Sequence, residues 1–257
     1  MRSQETNYDF PVRLEKIYTA GGAEAPRVRA VVRADTAAPI SVVSDQYKLI
    51  THTDALQVTS GFMSRFGDVK PVYNLEKDGA RLLATYTFKN QLITVPKVND
   101  TVALRITVIN SYDRATSLTY KIGAMVLRCL NGMTAPRGEF DLRFRHTTGL
   151  EDIVLPEPDL VFDAFNAAGR SWQRMSEDEL SPRKRSFIIE QAMSMQVVSK
   201  KSMVVNQAEY DGSTTMWALY NAFTYSITHQ FRGQESGRLQ RLDRLNTVFT
   251  HNTDTVQ

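Results

Sequence analysis

The segments Thr101–Ile109 (TVALRITVI), Asn110–Arg114 (NSYDR) and Leu118–Val126 (LTYKIGAMV) set a polar turn between two alternating runs. In the first run Val102, Leu104, Ile106 and Val108 share one face and Arg105 and Thr107 the other, the period of two of a half-buried strand. In the second, Leu118, Tyr120, Ile122, Ala124 and Val126 share a face with Lys121 opposite, until Met125, Leu127 and Cys129 make both faces apolar. Two such runs joined by a short polar segment predict a β-hairpin.

Further strands precede it. Arg27 to Ala34 alternates, with Val28, Ala30, Val32 and Ala34 opposite Arg27, Arg29 and Arg33, and a second strand is expected from Ile40 to Ile50. A helix is expected to start after Thr51 or Thr53 and to run to Phe66, with Gly67 past its end. Strands over Val69–Glu76 and Ala80–Lys89 flank Lys77-Asp78-Gly79, a hairpin turn signal. Asp141 to Thr147 adds one more strand, with Phe140, Leu142 and Phe144 opposite Arg143 and Arg145.

Beyond Leu155-Pro156-Glu157-Pro158 the period changes. Val161, Phe165, Ala168, Trp172 and Met175 fall on one face of a helix. A second helix begins at Ser181-Pro182, a third from Ser213 aligns Met216, Tyr220, Phe223, Ile227 and Phe231, and a fourth spans Glu235 to Phe249. Strands first and helices later predict an α+β fold: an antiparallel sheet with one helix over 7–149, packed by helices from 157–250, in one continuous domain.

The chain has 257 residues, 42% of them hydrophobic, enough to bury a core. Its 31 basic and 28 acidic residues give a formal charge of +3, which permits a nucleic-acid partner and excludes a strongly basic, histone-like protein. A single cysteine, Cys129, cannot form an intramolecular disulfide and fits a reducing compartment. With no signal-peptide pattern in Met1–Asn7 and no apolar run near the ~20 residues of a membrane span, a cytosolic location in a bacterial host and no membrane partner are expected.

Val108 to Ser117 (VINSYDRATS), followed by Val126 to Asn131 (VLRCLN), resembles the asparagine-serine-histidine-aspartate-glycine-serine … valine-cysteine-x-asparagine motif of a phage/plasmid-like domain-of-unknown-function family. Val42 to Ile50 (VVSDQYKLI) resembles its valine-serine-x-x-tyrosine strand, and Trp217 to Thr224 through His229 its tryptophan-x-x-tyrosine-asparagine-alanine helix. The resemblance covers roughly Ile40 to His229. Tyr112 stands where the family usually has histidine and Arg114 where it has glycine. A proposed kinship of that family in fold with Red-beta, RecT and Erf type single-strand annealing proteins implies single-stranded DNA binding and a homo-oligomeric ring or filament.

Candidate sites carry two readings each. Arg27, Arg29, Arg33, Arg81, Lys89, Arg105, Lys121, Arg143 and Arg145 lie opposite the apolar residues of their strands: a cationic sheet face for phosphates, or charges that keep a one-sided sheet soluble. Arg183, Lys184 and Arg185 sit in the first turn of a helix, against its dipole: a phosphate contact, or an ion-pair cluster with Glu177, Asp178 and Glu179. Asn110, Tyr112 and Arg114 either stabilise a bend or project to hold a single strand, Tyr112 by stacking and Arg114 by phosphate pairing. On Trp217–His229, packing accounts for Tyr220 more readily than for Asn221, whose amide needs several partners.

The sequence has no Walker loop, no dinucleotide fingerprint and no Cys/His pairing for zinc, so no cofactor, metal or catalytic residue is expected. The resulting expectation is a phage or plasmid single-stranded DNA-binding protein that promotes annealing without ATP through Arg105, Asn110, Tyr112, Arg114, Lys121, Arg128, Arg143, Arg145 and Arg183–Arg185. The first rival is a phage-encoded protein that inhibits a host defence or DNA-processing enzyme by direct contact with it, and the second is an enzyme acting on nucleic acid by metal-dependent cleavage.

Overall fold

In the computed structural model, residues 8–127, 130–134, 141–199 and 214–253 are described. They form an α+β protein, with antiparallel sheets in the N-terminal half and helices mostly in the C-terminal half. The chain divides into two compact units, Met1–Tyr86 with Thr107–Lys121 and Leu142–Pro156, and Thr87–Ile106 with Ile122–Asp141 and Glu157–Gln257. This division does not follow the order of sheet and helices along the chain.

In the first unit β1 (Val12–Tyr18), β2 (Glu24–Arg33) and β3 (Pro39–Ser44) form a three-stranded antiparallel sheet in that order. Strict alternation along β2 is broken by a register shift between Val31 and Val32, which leaves both buried. The strand expected to reach Ile50 stops at Ser44, where the Tyr47 N–H donates to the Ser44 carbonyl in a turn. That turn delivers Tyr47 into a core with Phe10, Val31, Val43 and Tyr112.

Helix α1 (His52–Ser64) starts as a capping box. Thr51 Oγ1 accepts from the Asp54 N–H (3.0 Å), and the Asp54 carboxylate accepts from the Thr51 N–H (3.1 Å), which satisfies two amide groups at the helix entry.

The second sheet runs β4 (Val72–Glu76), β5 (Arg81–Val95), β6 (Asp100–Ser111), β7 (Leu118–Val126) and β8 (Asn131–Thr134), and β9 (Asp141–Phe144) also pairs with β7. β5, β6 and β7 run through both units. The β4–β5 turn holds Lys77, Asp78 and Gly79 at φ of 53°, 54° and 87°. Gly79 is required there, because a Cβ would lie 2.8 Å from the Phe10 ring.

The hairpin of β6 and β7 forms as its pattern predicts, but it is not one-sided. Ala103 and Thr107 are buried along with Val102, Leu104, Ile106 and Val108, and Thr119 and Lys121 with Leu118 and Tyr120.

The second unit carries α2 (Pro158–Glu177), α3 (Pro182–Ser194), α4 (Met216–Tyr225) and α5 (Glu235–Thr253). The α2 stripe of Val161, Phe165, Ala168, Trp172 and Met175 is buried as its spacing predicts. The α4 segment is buried on every side from Met216 to Thr224, and its expected continuation to Phe231 becomes a π-helical turn, Ser226–Gln230. Thr215 caps α4 and Ser181 caps α3. Among the described residues no helix is long and apolar enough to cross a membrane. Phe165→Ala is expected to destabilise the protein by about 3–5 kcal/mol in chemical denaturation; a cost near zero would contradict a packed α2 face.

Candidate anion site

At the end of β6 the chain turns from apolar packing to polar pairing, all within the first unit. The Asn110 amide donates twice, to the Ile50 carbonyl (3.0 Å) and to His52 Nδ1 (3.0 Å). Because the Gly79 carbonyl 2.9 Å from His52 Nε2 accepts only, Nε2 carries the ring proton and Nδ1 is the acceptor. Tyr112 lies stacked on His52, ring centroids 4.1 Å apart, and its hydroxyl accepts the His52 N–H (2.7 Å), one of the free amide groups at the start of α1. Burial lowers the His52 pKa to about 4 and pushes the Tyr112 hydroxyl up.

The turn itself is closed by its own side chains. Ser111 Oγ donates to the Thr116 carbonyl and accepts the Thr116 N–H. Asp113 accepts the Ala115 N–H and pairs with Arg81 at 2.7 Å. Arg114, at φ 63°, points outward and gives one hydrogen bond, to the Val42 carbonyl.

Beside this turn lies an open pocket of about 390 Å³ lined by Tyr47, Arg114–Ser117, Arg143, Arg145, His146 and Thr147. Among the described residues its lining holds three guanidinium groups and no carboxylate. Among the described residues the Arg145 side chain makes no ion pair or hydrogen bond. His146 is buried and stacks on Tyr47, centroids 4.9 Å apart and planes 14° from parallel. The Tyr47 hydroxyl is anchored on the Ser111 carbonyl (3.3 Å), and the Lys48 N–H donates to the His146 carbonyl. Among the described residues neither ring nitrogen of His146 has a hydrogen-bond partner. Burial lowers its pKa, and the nearby backbone of Lys48 and Thr116 opposes that shift without meeting either nitrogen in hydrogen-bond geometry. The arrangement supplies forked donors, hydroxyls and an unsatisfied imidazole to an anionic group.

Of the expected site residues, Arg114, Arg143 and Arg145 meet at this pocket. Asn110 and Tyr112 do not project. Both are fully buried, because the amide and the phenol satisfy the entry of α1, and the expected stacking of a base on Tyr112 is not open to it in this arrangement. Arg105 and Lys121 are not on a solvent face either: Lys121 is buried, and Arg105, in the second unit, is held near Glu235 (3.6 Å) with a buried Nε. Arg183 and Arg185, also in the second unit, make no side-chain pairs among the described residues, whereas Lys184 pairs with Asp178 (3.2 Å). Arg128 and Cys129 lie outside the described residues.

Of the nine cations placed on one sheet face, eight are spread over two sheets and Arg145 lies just past β9, and Arg29 and Arg33 are paired with Glu24 and Asp35. Tyr47, His52 and His146 were missed as site residues. For His146 a signal existed, its place next to Arg145 in an alternating run.

Fold and site together define an α+β protein with an arginine-lined pocket. Among the described residues no group of His, Cys, Asp and Glu side chains is placed to hold a metal ion. A family model, Domain of unknown function (DUF932), matches residues 39–249, and the chain belongs to this family. The match starts at the first residue of β3 and ends inside α5, so β1 and β2 lie outside it. No curated protein and no solved structure matches the chain.

The neutral, buried His52 has a consequence for acid stability. Between about pH 6.5 and pH 4 the unfolded chain binds a proton at this residue that the folded chain does not, so stability is complete above the upper value and falls on acidification. The loss amounts to about 3 kcal/mol over the window. His146, shifted the same way, adds to it. Urea midpoints measured across this window should fall more steeply for the native protein than for His52→Gln; equal slopes would mean that His52 is not held neutral.

Proposed function

We propose that this is a phage or plasmid protein that binds single-stranded DNA and promotes annealing of complementary strands without ATP, acting as a homo-oligomer in the host cytosol. The observation that carries the proposal is the meeting of Arg114, Arg143 and Arg145 around one pocket that no carboxylate lines among the described residues. Annealing requires that backbone charge be neutralised while base edges stay free to sample partners, and a site built from guanidinium groups without a base-reading set suits that requirement. The likeness of the asparagine-serine and tryptophan-tyrosine-asparagine motifs to a family linked in fold with annealing proteins points the same way.

The binding test is fluorescence anisotropy of a labelled single strand over a salt series, with duplex as competitor. Each lost phosphate contact flattens the log–log salt slope by about 0.7 for a single strand, so Arg145→Ala should reduce the slope by about that amount with little change in thermal midpoint. Arg114→Gly should weaken binding while holding or raising the midpoint, since φ 63° suits glycine better than arginine. No binding at low salt would remove nucleic acid as the ligand and direct the search to a protein partner.

A further inference from the structure

We propose that the pocket of Arg114, Arg143, Arg145 and His146 holds a phosphate monoester, the terminal phosphate of a strand or of a free nucleotide, rather than tracking internal phosphodiesters. This proposal rests on the reading of the pocket as a phosphate site for nucleic acid.

The first ground is concentration of charge. Three guanidinium groups border one cavity of about 390 Å³, at the lower end of the size range of small-molecule sites. An internal phosphodiester brings one negative charge and two unbridged oxygens to such a cavity. A monoester brings close to two charges and three acceptor oxygens, which forked donors from several directions are able to share.

The second ground is His146. Its ring is buried at the pocket, its plane is set by the stack on Tyr47, and among the described residues both nitrogens lack partners. A buried polar group left unsatisfied is destabilising, so a ligand that met it would gain affinity from it. An anion in the pocket favours the imidazolium, which presents N–H donors on both nitrogens. The hydroxyl-bearing Thr116, Ser117 and Thr147 complete a polar lining.

The test compares one labelled single strand bearing a 5′-phosphate, a 3′-phosphate or hydroxyl ends, with a deoxynucleoside monophosphate as competitor. Arg145→Ala and His146→Gln are measured beside Arg170→Ala, an exposed α2 position, as a control outside the pocket, and thermal midpoints confirm that each variant is folded. The expected result is a preference of about tenfold or more for one phosphorylated end, competed by the monophosphate, lost in Arg145→Ala, reduced in His146→Gln and kept in Arg170→Ala. The preferred end tells which terminus is taken. Equal affinity for phosphorylated and hydroxyl ends would overturn the inference and leave strand binding intact. Monophosphate binding that needs Arg145 without any strand binding would uphold the inference for a free nucleotide and overturn the strand-binding function. A preference unchanged in Arg145→Ala, or no binding of any of these ligands, would overturn the inference.

Discussion

The first unit depends on one side-chain amide. Asn110 Nδ2 has two hydrogens, and both are committed, one to the Ile50 carbonyl and one to His52 Nδ1. Rotating the amide by half a turn would set its oxygen against the Ile50 carbonyl, so only one orientation is tolerable. That orientation fixes the His52 tautomer, which in turn requires the Gly79 carbonyl opposite it. The end of β6, the entry of α1 and the β4–β5 turn are thereby tied together in a buried region where an unmet donor is destabilising by about 1–3 kcal/mol. Tyr112 closes the same junction, stacked on the imidazole and bonded to the first helical amide. With these residues held inside, the turn that follows has to emerge at the surface, and it brings Arg114 with it.

Arg114 occupies a backbone conformation in which a side chain is disfavoured. Its guanidinium reaches the Val42 carbonyl and borders the pocket, so the residue is placed by its turn and not by burial. The neighbouring Asp113 is occupied by Arg81 and by the turn amide, and it does not line the pocket that Arg114 enters.

Much of the architecture was legible in local pattern. The β6–β7 hairpin, the Thr51 and Ser181 caps and the α2 stripe each rest on neighbours a few residues away, where periodicity and capping chemistry act. The placement of Arg105 and Lys121 was not legible. Alternation tells which residues share a face and is silent on whether a second layer covers the other one. Tyr112 was misplaced for a related reason: an aromatic in a polar turn has the composition of an exposed contact, and only the approach of His52, 60 residues away in sequence, makes it core. The pocket joins Tyr47, the residues after β6 and the stretch from Arg143 in β9 to Thr147, three segments whose meeting no local pattern encodes.

The chain has two tryptophans, Trp172 and Trp217, and both belong to the second unit, buried with ring centroids 6.3 Å apart. Indole emission therefore reports on the second unit, while the first unit, which holds the pocket, has tyrosines and phenylalanines but no tryptophan. A melting curve read only from tryptophan emission would follow the loss of the helices and be nearly blind to the opening of the arginine pocket. Circular dichroism in the aromatic region, to which the stacked Tyr47 and Tyr112 contribute, offers a signal from the unit that tryptophan leaves dark.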